Sequence, residues 1–369
     1  MKVKFTDFKK EFVYLERDLI NSFKNVGRKG HYILGDELKK FENNIKNFLG
    51  VKYVLGVGNW TEGMIAVCKA LNFQKNDEII TVSNSFIATC GAISYAGCKP
   101  ILVDIDKTLN MDVDILKKKI TKNTKAVMPV HLSGIPANVD EIKKFCNKNK
   151  LIFIEDAAHA FGGKYKDKYL GTFGDVGIFS LHPRKNFHVL GDGGIIVTKN
   201  KKIFNKLLLI RNHGLKNRNE SIVWGTNTRL DNLQASFGNI MMKKIKLWNK
   251  KYLKTANYYS SNLKHLVQTP IFDSKISTPT FHQYIIRTDR RNSLKKFLNK
   301  KGIETAIHYP KPIHKQKAYM NYYGHIKLIN TERYAKQILS LPIHAHLSDK
   351  QVKYVVDNIK LFFKKIKSF

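Results

Sequence analysis

The residues of this chain with the greatest chemical potential lie between Leu151 and Thr198, in LIFIEDAAHAFGGKYKDKYLGTFGDVGIFSLHPRKNFHVLGDGGIIVT. The apolar run Leu151 to Ile154 ends in two carboxylates, Glu155 and Asp156, and a turn of small residues then carries His159. A second apolar run, Val176 to Ser180, ends in a hydroxyl, and Lys185 follows in a polar loop. Open α/β sheets bind ligands in the crevice at the carboxyl ends of their strands, so acid, hydroxyl and amine are candidates for one pocket.

A further candidate lies upstream, in VKYVLGVGNWTEGMIAVCKALNF. An apolar strand, Tyr53 to Val57, breaks at Gly58-Asn59 and passes into an amphipathic helix. First-turn amides have no partner within their own helix, so those around Glu62, with the Thr61 hydroxyl beside them, can hold a phosphate. Thr61 as a plain helix cap is the other reading of the same residue. The segment is not a Walker sequence and lacks G-x-G-x-x-G, so neither ATP nor a dinucleotide is its natural ligand. Phe86, in the loop after the next strand, offers an aromatic face.

Lysine is the amine that condenses with aldehydes, and pyridoxal phosphate makes use of a lysine, a carboxylate, a phosphate-holding helix start and an aromatic ring. On that assignment Asp156 keeps the pyridine nitrogen protonated, which makes the ring an electron sink. Thr61, Ser180 and the amides around Glu62 hold the phosphate, and Phe86 stacks on the ring. His159 contacts the ring oxygen or satisfies a buried backbone group. No metal site is expected.

Apolar runs and helical patterns alternate through the first half of the chain, at Tyr53 to Val57, Glu78 to Val82, Pro100 to Val103, KAVMPV, Leu151 to Ile154 and Val176 to Ser180. That rhythm predicts βαβ units and a largely parallel sheet. Asn59, Ser83, Asp104, His131 and Asp156 stand at strand ends and are expected to converge on one crevice. Helical patterning covers Lys9 to Phe48 with a break at GRKGHYILGDE, then Lys201 to Arg211, then a helix reaching about Lys250. The pattern then changes, with a strand at Gln283 to Arg287 and a helix from Ser293. The expected organisation is a large domain over 1–249, the N-terminal helices included, and a smaller C-terminal α+β domain over 250–369.

The 369 residues carry a formal net charge of +36, which raises the possibility of a nucleic-acid partner. The lysines, however, are spread over nearly every polar stretch, which reads as solvated faces, and no nucleic-acid partner is expected. A basic surface would still concentrate an anionic substrate such as a nucleotide diphosphate. The four cysteines show no C-x-x-C spacing and are expected to be reduced core residues. No apolar run approaches the ~20 residues that span a bilayer, and the N-terminus has no signal-peptide core. A cytoplasmic protein with no membrane partner is the expectation.

The chain resembles the DegT/DnrJ/EryC1/StrS family of sugar aminotransferases, through GHYILGDELKKFE, GVGNWTEGM, AGCKPILVDID, IEDAAHAFGGKYKDKYLGTFGDVGIFSLHPRKN, GDGGIIVT, NTRLDNLQA, HYPKPIH and LPIHAHLSDKQV. The resemblance implies the fold-type I architecture of aspartate-aminotransferase-like enzymes. It makes Lys185 the lysine that bonds the cofactor, Asp156 the pyridinium partner, Ser180 and Thr61 phosphate ligands, and Phe86 the stacking ring. His159 stands where the family has Gln or His. Asn227, in GTNTRLD, matches an asparagine that reaches the phosphate from the neighbouring subunit, which implies a homodimer with shared sites.

The reaction so implied moves an amino group from an amino acid, L-glutamate first among them, to a keto group of a dTDP-, UDP- or GDP-linked sugar. Its setting would be amino-sugar and surface-polysaccharide biosynthesis. Family members that dehydrate replace the lysine by His, and here Lys185 is present. A nucleotide-sugar dehydratase is the second reading, and a non-enzymatic basic protein that binds nucleic acid the third. Trp60 stands where a small residue is usual, and either reshapes the sugar pocket or packs outward. His182, His188, Arg229, His308, Tyr309 and His314 are further candidates for substrate contact.

Overall fold

Seven strands form the main sheet of the computed structural model, which describes residues 1–367. They are β1 (Tyr53–Val57), β2 (Glu78–Val82), β3 (Lys99–Val103), β4 (Thr124–Val127), β5 (Ile152–Asp156), β6 (Val176–Ser180) and β7 (Gly194–Thr198). Their lateral order is β1-β7-β6-β5-β4-β2-β3. Strands β2 to β6 run parallel. β7 alone is antiparallel to both its neighbours, β1 and β6. The chain passes from β6 to β7 through the loop 181–193 with no crossover helix, so the return must be antiparallel. The loop that carries Lys185 is therefore held at both ends by paired strands.

The two faces of this sheet pack into separate cores, sorted by the period-two alternation of side chains along each strand. Phe153, Phe179, Ile195 and Val197 enter one core with Leu38, Phe41 and Ile45. Ile154, Ile178 and Ile196 enter the other with Met64, Val67 and Ile93. This parity separates the two carboxylates that end β5. Asp156 falls on the second face with Ser180, whereas Glu155 falls on the first.

Glu155 is fully buried there and accepts hydrogen bonds from His131 Nε2 (2.9 Å) and from the amides of Gly171 (2.8 Å), Phe173 (2.6 Å) and Gly174 (2.7 Å). Burial would raise its carboxyl, but His131 and these amides outweigh it and hold it below the ordinary carboxylate range. Glu155 is a structural acid and has no place in the crevice.

The helices are α1 (Phe8–Lys29), α2 (Asp36–Leu49), α3 (Trp60–Ala70), α4 (Ala88–Tyr95), α5 (Val139–Asn149), α6 (Lys201–Arg211), α7 (Asn232–Met242) and α8 (Ile245–Leu263). Asp7 caps α1 by accepting from the Lys10 amide, and Gly30, at φ +68°, ends it in the left-handed conformation. The inner side of α1 buries Leu15, Leu19 and Val26, while Phe12, Val13 and Phe23 on the same helix are exposed. The single helix expected to end near Lys250 is two helices, broken at 243–244, and the second runs unbroken through residue 250 to Leu263.

Beyond α8, β8 (Tyr284–Arg287) pairs antiparallel with β9 (Ile338–Leu341), and α9 (Arg291–Lys300), α10 (Ile329–Gln337) and α11 (Asp349–Lys367) surround them. The first residues of the chain join this unit. Val3 bridges to Ile303 in parallel, and the Phe5 amide donates to Glu304 at 2.9 Å. Among the described residues no helix is long and apolar enough to cross a membrane. All four cysteines are free and buried.

The expected convergence of strand-end side chains is only partly realised. Asp104 accepts from the amides of Asn330 and Thr331 (both 2.8 Å) and from the Thr331 hydroxyl (2.7 Å), and so caps α10 from outside. Ser83 bonds His314, and His131 bonds Glu155. Ser83 and Asp104 thus join the two halves of the chain, His131 serves the structural acid Glu155, and Asp156 is left to the crevice.

Candidate active site

Asp156 is buried at the end of β5, and Lys185 is half-buried in the loop after β6. Thr89 of α4 donates its hydroxyl to Asp156 Oδ2 (3.2 Å), and the Ala158 amide donates to Oδ1 (3.1 Å). Burial dominates and pushes the Asp156 carboxyl up to about 6, against the lowering pull of the Ala158 amide, the Lys185 charge and Thr89. Burial likewise pulls the Lys185 amine down to about 8, opposed by the Asp156 charge. At pH 7 the Asp156 carboxyl is thus mostly ionised, and roughly a tenth of Lys185 is the uncharged amine that can attack a carbonyl, far more than for an ordinary lysine.

His159 is buried beside this pair, and its Nδ1 accepts the Ser133 amide at 3.2 Å. Ser133 holds a left-handed φ of +60°, which turns that amide toward the ring. Burial and the charges of Lys185, His282 and His308 hold the imidazole far below its ordinary value, so the ring is neutral. With Nδ1 accepting, Nε2 carries the proton and is the donor left for a ligand. The reading of His159 as satisfying a buried backbone group holds at Nδ1, and Nε2 makes no such bond to the backbone among the described residues. The His282 ring lies tilted against the His159 ring, with centroids 4.5 Å apart, and its buried Nδ1 has no partner among the described residues.

The phosphate-type pocket is assembled by the sheet. Gly194, the first residue of β7, is paired with Val57 on one side and with Ser180 on the other. β7 thereby brings the start of α3 and the Ser180 hydroxyl to the same end of the sheet. Asn59 caps α3: its Oδ1 accepts the Glu62 amide at 2.9 Å, and its carbonyl accepts the Gly63 amide at 3.0 Å. This corrects the expectation for Glu62, whose amide is already used, and leaves the Trp60 and Thr61 amides as the first-turn donors. Thr61 itself does not cap. Ser180 is buried, and its Oγ accepts the His182 amide at 3.3 Å.

A Cβ at Gly194 would lie 2.8 Å from the Asn59 carbonyl carbon and 3.0 Å from the Trp60 nitrogen. Gly194→Ala is therefore expected to displace the very turn that presents these donors. It should cost about 1–3 kcal/mol of stability, by the usual penalty of overpacking, and weaken retention of a phosphate-bearing ligand. Thermal melts with and without ligand check this, and native values for both would refute the contact.

Phe86 is exposed in the loop after β2, its ring 6.0 Å from that of Tyr309. Ser85 bonds Thr89 (2.8 Å), which bonds Asp156, so the aromatic loop is tied to the carboxylate. Burial and the nearby Asp156 charge raise the Tyr309 hydroxyl, and burial with the Arg184 and Lys185 charges pulls His308 down to about 4. Both side chains border the Asp156–Lys185 pair. His308 Nδ1 is also 2.9 Å from the Ser340 hydroxyl. His182 is exposed, and its Nδ1 accepts the Arg184 amide.

Three other candidates are placed elsewhere, and a fourth, Arg229, lies beside the turn before α3. Trp60 is buried in the core with Leu55, Met64 and Val67, so it neither lines a sugar pocket nor packs outward. His314 is fully buried, with Nδ1 at 2.6 Å from the Ser83 hydroxyl and Nε2 at 3.1 Å from Glu332, and no nitrogen is left for substrate. His188 is buried with both nitrogens occupied, by Glu11 and by the Lys185 carbonyl. Arg229 donates to Asn212 (2.9 Å) while its backbone bridges Val57, beside the turn before α3.

Asn227 is exposed and lies just after Trp224, at 99 % the most exposed large hydrophobic side chain among the described residues. Thr89, His282, Ser133 and Gly194 escape a reading of the sequence. Asn59 is expected at the crevice as a strand-end residue, and its part as the N-cap of α3 is what the structure adds.

Comparison with known proteins places this geometry. A model of the DegT/DnrJ/EryC1/StrS aminotransferase family matches residues 14–360. The chain is similar to a "pleiotropic regulatory protein" of Geobacillus stearothermophilus, at 35% identity over 371 residues and 99% of each chain. It is similar to the UDP-2-acetamido-2-deoxy-3-oxo-D-glucuronate aminotransferase of Pseudomonas aeruginosa, at 34% identity, over 96% of this chain and 98% of the other. In three dimensions it is similar to S. venezuelae DesV, whose crystal structure is a complex with a ketimine intermediate. The TM-score is 0.95 and the identity 32%, over 98% of each chain.

Proposed function

The chain belongs to the DegT/DnrJ/EryC1/StrS aminotransferase family, and from that premise we propose that it transfers an amino group from L-glutamate to the keto group of a nucleotide-linked sugar. The observation that carries the proposal is the buried Asp156 carboxylate and the Lys185 amine at the sheet end where the Trp60 and Thr61 amides and the Ser180 hydroxyl also meet. The donor set fits pyridoxal phosphate: an acid for a ring nitrogen, an amine for an aldehyde, and uncommitted amides with a hydroxyl for a phosphate. When bound, that cofactor supplies an aldehyde carbon that takes up an amine and a ring that accepts an electron pair.

The chain's own residues do the rest. Lys185 would hold the cofactor through Nζ and, when that nitrogen is free, would carry the proton that the reaction moves between carbons. Asp156 holds the proton on the ring nitrogen, and His159 donates from Nε2 to the ring oxygen. Thr61 and Ser180 bind the phosphate, and Phe86 covers the ring. Asn227 reaches the site of a second subunit in a homodimer, for which its exposure beside Trp224 is the supporting observation. His182, His308, Tyr309 and Arg229 border the sugar and its diphosphate. The division at 249/250 is proposed with α8 as a continuous connector between the two parts, and the setting is the cytoplasm.

The reading is tested with dTDP-, UDP- and GDP-linked keto sugars and L-glutamate, measuring 2-oxoglutarate and aminated sugar together. Equal molar yields of both are expected with at least one sugar. Consumption of the sugar without 2-oxoglutarate would replace transamination by dehydration.

A further inference from the structure

Behind the lysine loop, segments far apart in the sequence meet at one carboxylate. Glu11 of α1 has Oε1 2.7 Å from His188 Nε2, and Oε2 3.4 Å from His346 Nε2. The same His188 ring has Nδ1 3.0 Å from the Lys185 carbonyl oxygen. Trp248 of α8 lies near-parallel to the His188 ring at 6.4 Å and meets His346 edge-on at 5.6 Å. A carboxylate and a carbonyl only accept, so each ring nitrogen is placed to donate to one of the two neighbours. Burial would raise the Glu11 carboxyl, but the His188 hydrogen bond and the nearby His346 ring outweigh it and bring it to about 2.

We propose that His188, oriented by Glu11, is a positioning residue for Lys185. The inference rests on the reading of Lys185 as the covalent attachment point. The Lys185 amide already donates to the His182 carbonyl at 2.8 Å. His188 holds the Lys185 carbonyl, so both main-chain groups of the lysine are engaged and its long side chain starts from a defined root. The anchor is Glu11 on the N-terminal helix, which references the lysine to α1 and to the His346 segment as well as to its own loop. A lysine that must alternate between a covalent bond and free proton transfer depends on such a root, because small misplacements of a catalytic group are costly.

The test separates the two nitrogens. An Asn amide nitrogen stands roughly where His carries Nδ1, and a Gln amide nitrogen where His carries Nε2. His188→Asn therefore keeps the bond to Lys185, and His188→Gln keeps the bond to Glu11. His188→Gln is expected to lower kcat about tenfold or more, with KM for both substrates within about twofold. It should slow, by a similar factor, capture of pyridoxal phosphate by the cofactor-free protein, read as the adduct trapped with borohydride.

His188→Asn is expected to restore most of both rates, although the two variants lose similar thermal stability. Equal losses in both variants, or no loss in either, would overturn the proposal. Where a His188 variant does not fold, Glu11→Gln carries the test: a fall in capture rate of about threefold or more supports it and a native rate overturns it. A native protein that captures no pyridoxal phosphate overturns the reading of Lys185 itself, and this proposal with it.

Discussion

Replacing Lys185 with alanine is expected to remove the covalent attachment of pyridoxal phosphate and to lower kcat by on the order of 10⁴-fold, since a positioned proton-transfer group alone contributes 10²–10⁴. The structure explains why no neighbour can substitute. Lys185 is the amine whose burial beside Asp156 brings it down to about 8 from 10.5. At pH 7 that shift increases the uncharged fraction roughly 300-fold over an ordinary lysine. Cofactor capture by the native protein should therefore rise with pH up to about 8 and level off above it. Visible absorbance after gel filtration, followed across pH and compared with Lys185→Ala, provides the measurement. Turnover that survives the substitution would sink the assignment.

Asp156→Asn should separate function from stability. The buried carboxylate is raised to about 6 from 3.8, so in the cofactor-free protein its contribution to stability is fully present below pH 3.8 and is lost as pH rises through 6. At neutral pH the charged form costs on the order of 2–3 kcal/mol. The amide isostere keeps the Thr89 contact without that cost, and the cofactor-free variant is expected to melt higher than the native protein at pH 7 to 8. Activity should move the other way. Removing one member of a buried charge pair is worth about 3–5 kcal/mol, and its loss from the ring nitrogen should lower kcat about 10²–10⁴-fold. A variant within threefold of native kcat would show that Asp156 is not the ring partner.

Much of this site is legible in the sequence alone. A strand that ends in acid, a strand that ends in serine and a lysine in the next loop are local patterns, and each stands where its spacing puts it. The positions at which the sequence misleads share a cause. Glu155, His131, Ser83, Asp104 and His314 are polar residues at element ends, and their type alone does not say whether the acceptor or donor they meet is a ligand or another part of the chain. Two of the partners lie far away in sequence: His314 for Ser83, and Asn330 with Thr331 for Asp104. Trp60 adjoins Thr61, which suggests a place in the pocket, but on α3 its side chain turns into the core.

The sequence by itself determined the alternation of strands and helices, the place of Asp156 and Ser180 at strand ends, and the identity of the amine. These depend on local spacing and on side-chain chemistry, both of which can be read along the chain. Only the tertiary structure decided that β7 would insert antiparallel between β1 and β6, bringing Gly194 against the Asn59–Trp60 backbone and the Ser180 hydroxyl to the same end. It also decided that Glu11, 177 residues upstream, would meet His188 and through it the Lys185 carbonyl. Burial sets the working state of Asp156, Lys185 and His159, and burial is a property of what packs around a residue, which its neighbours in the sequence do not specify.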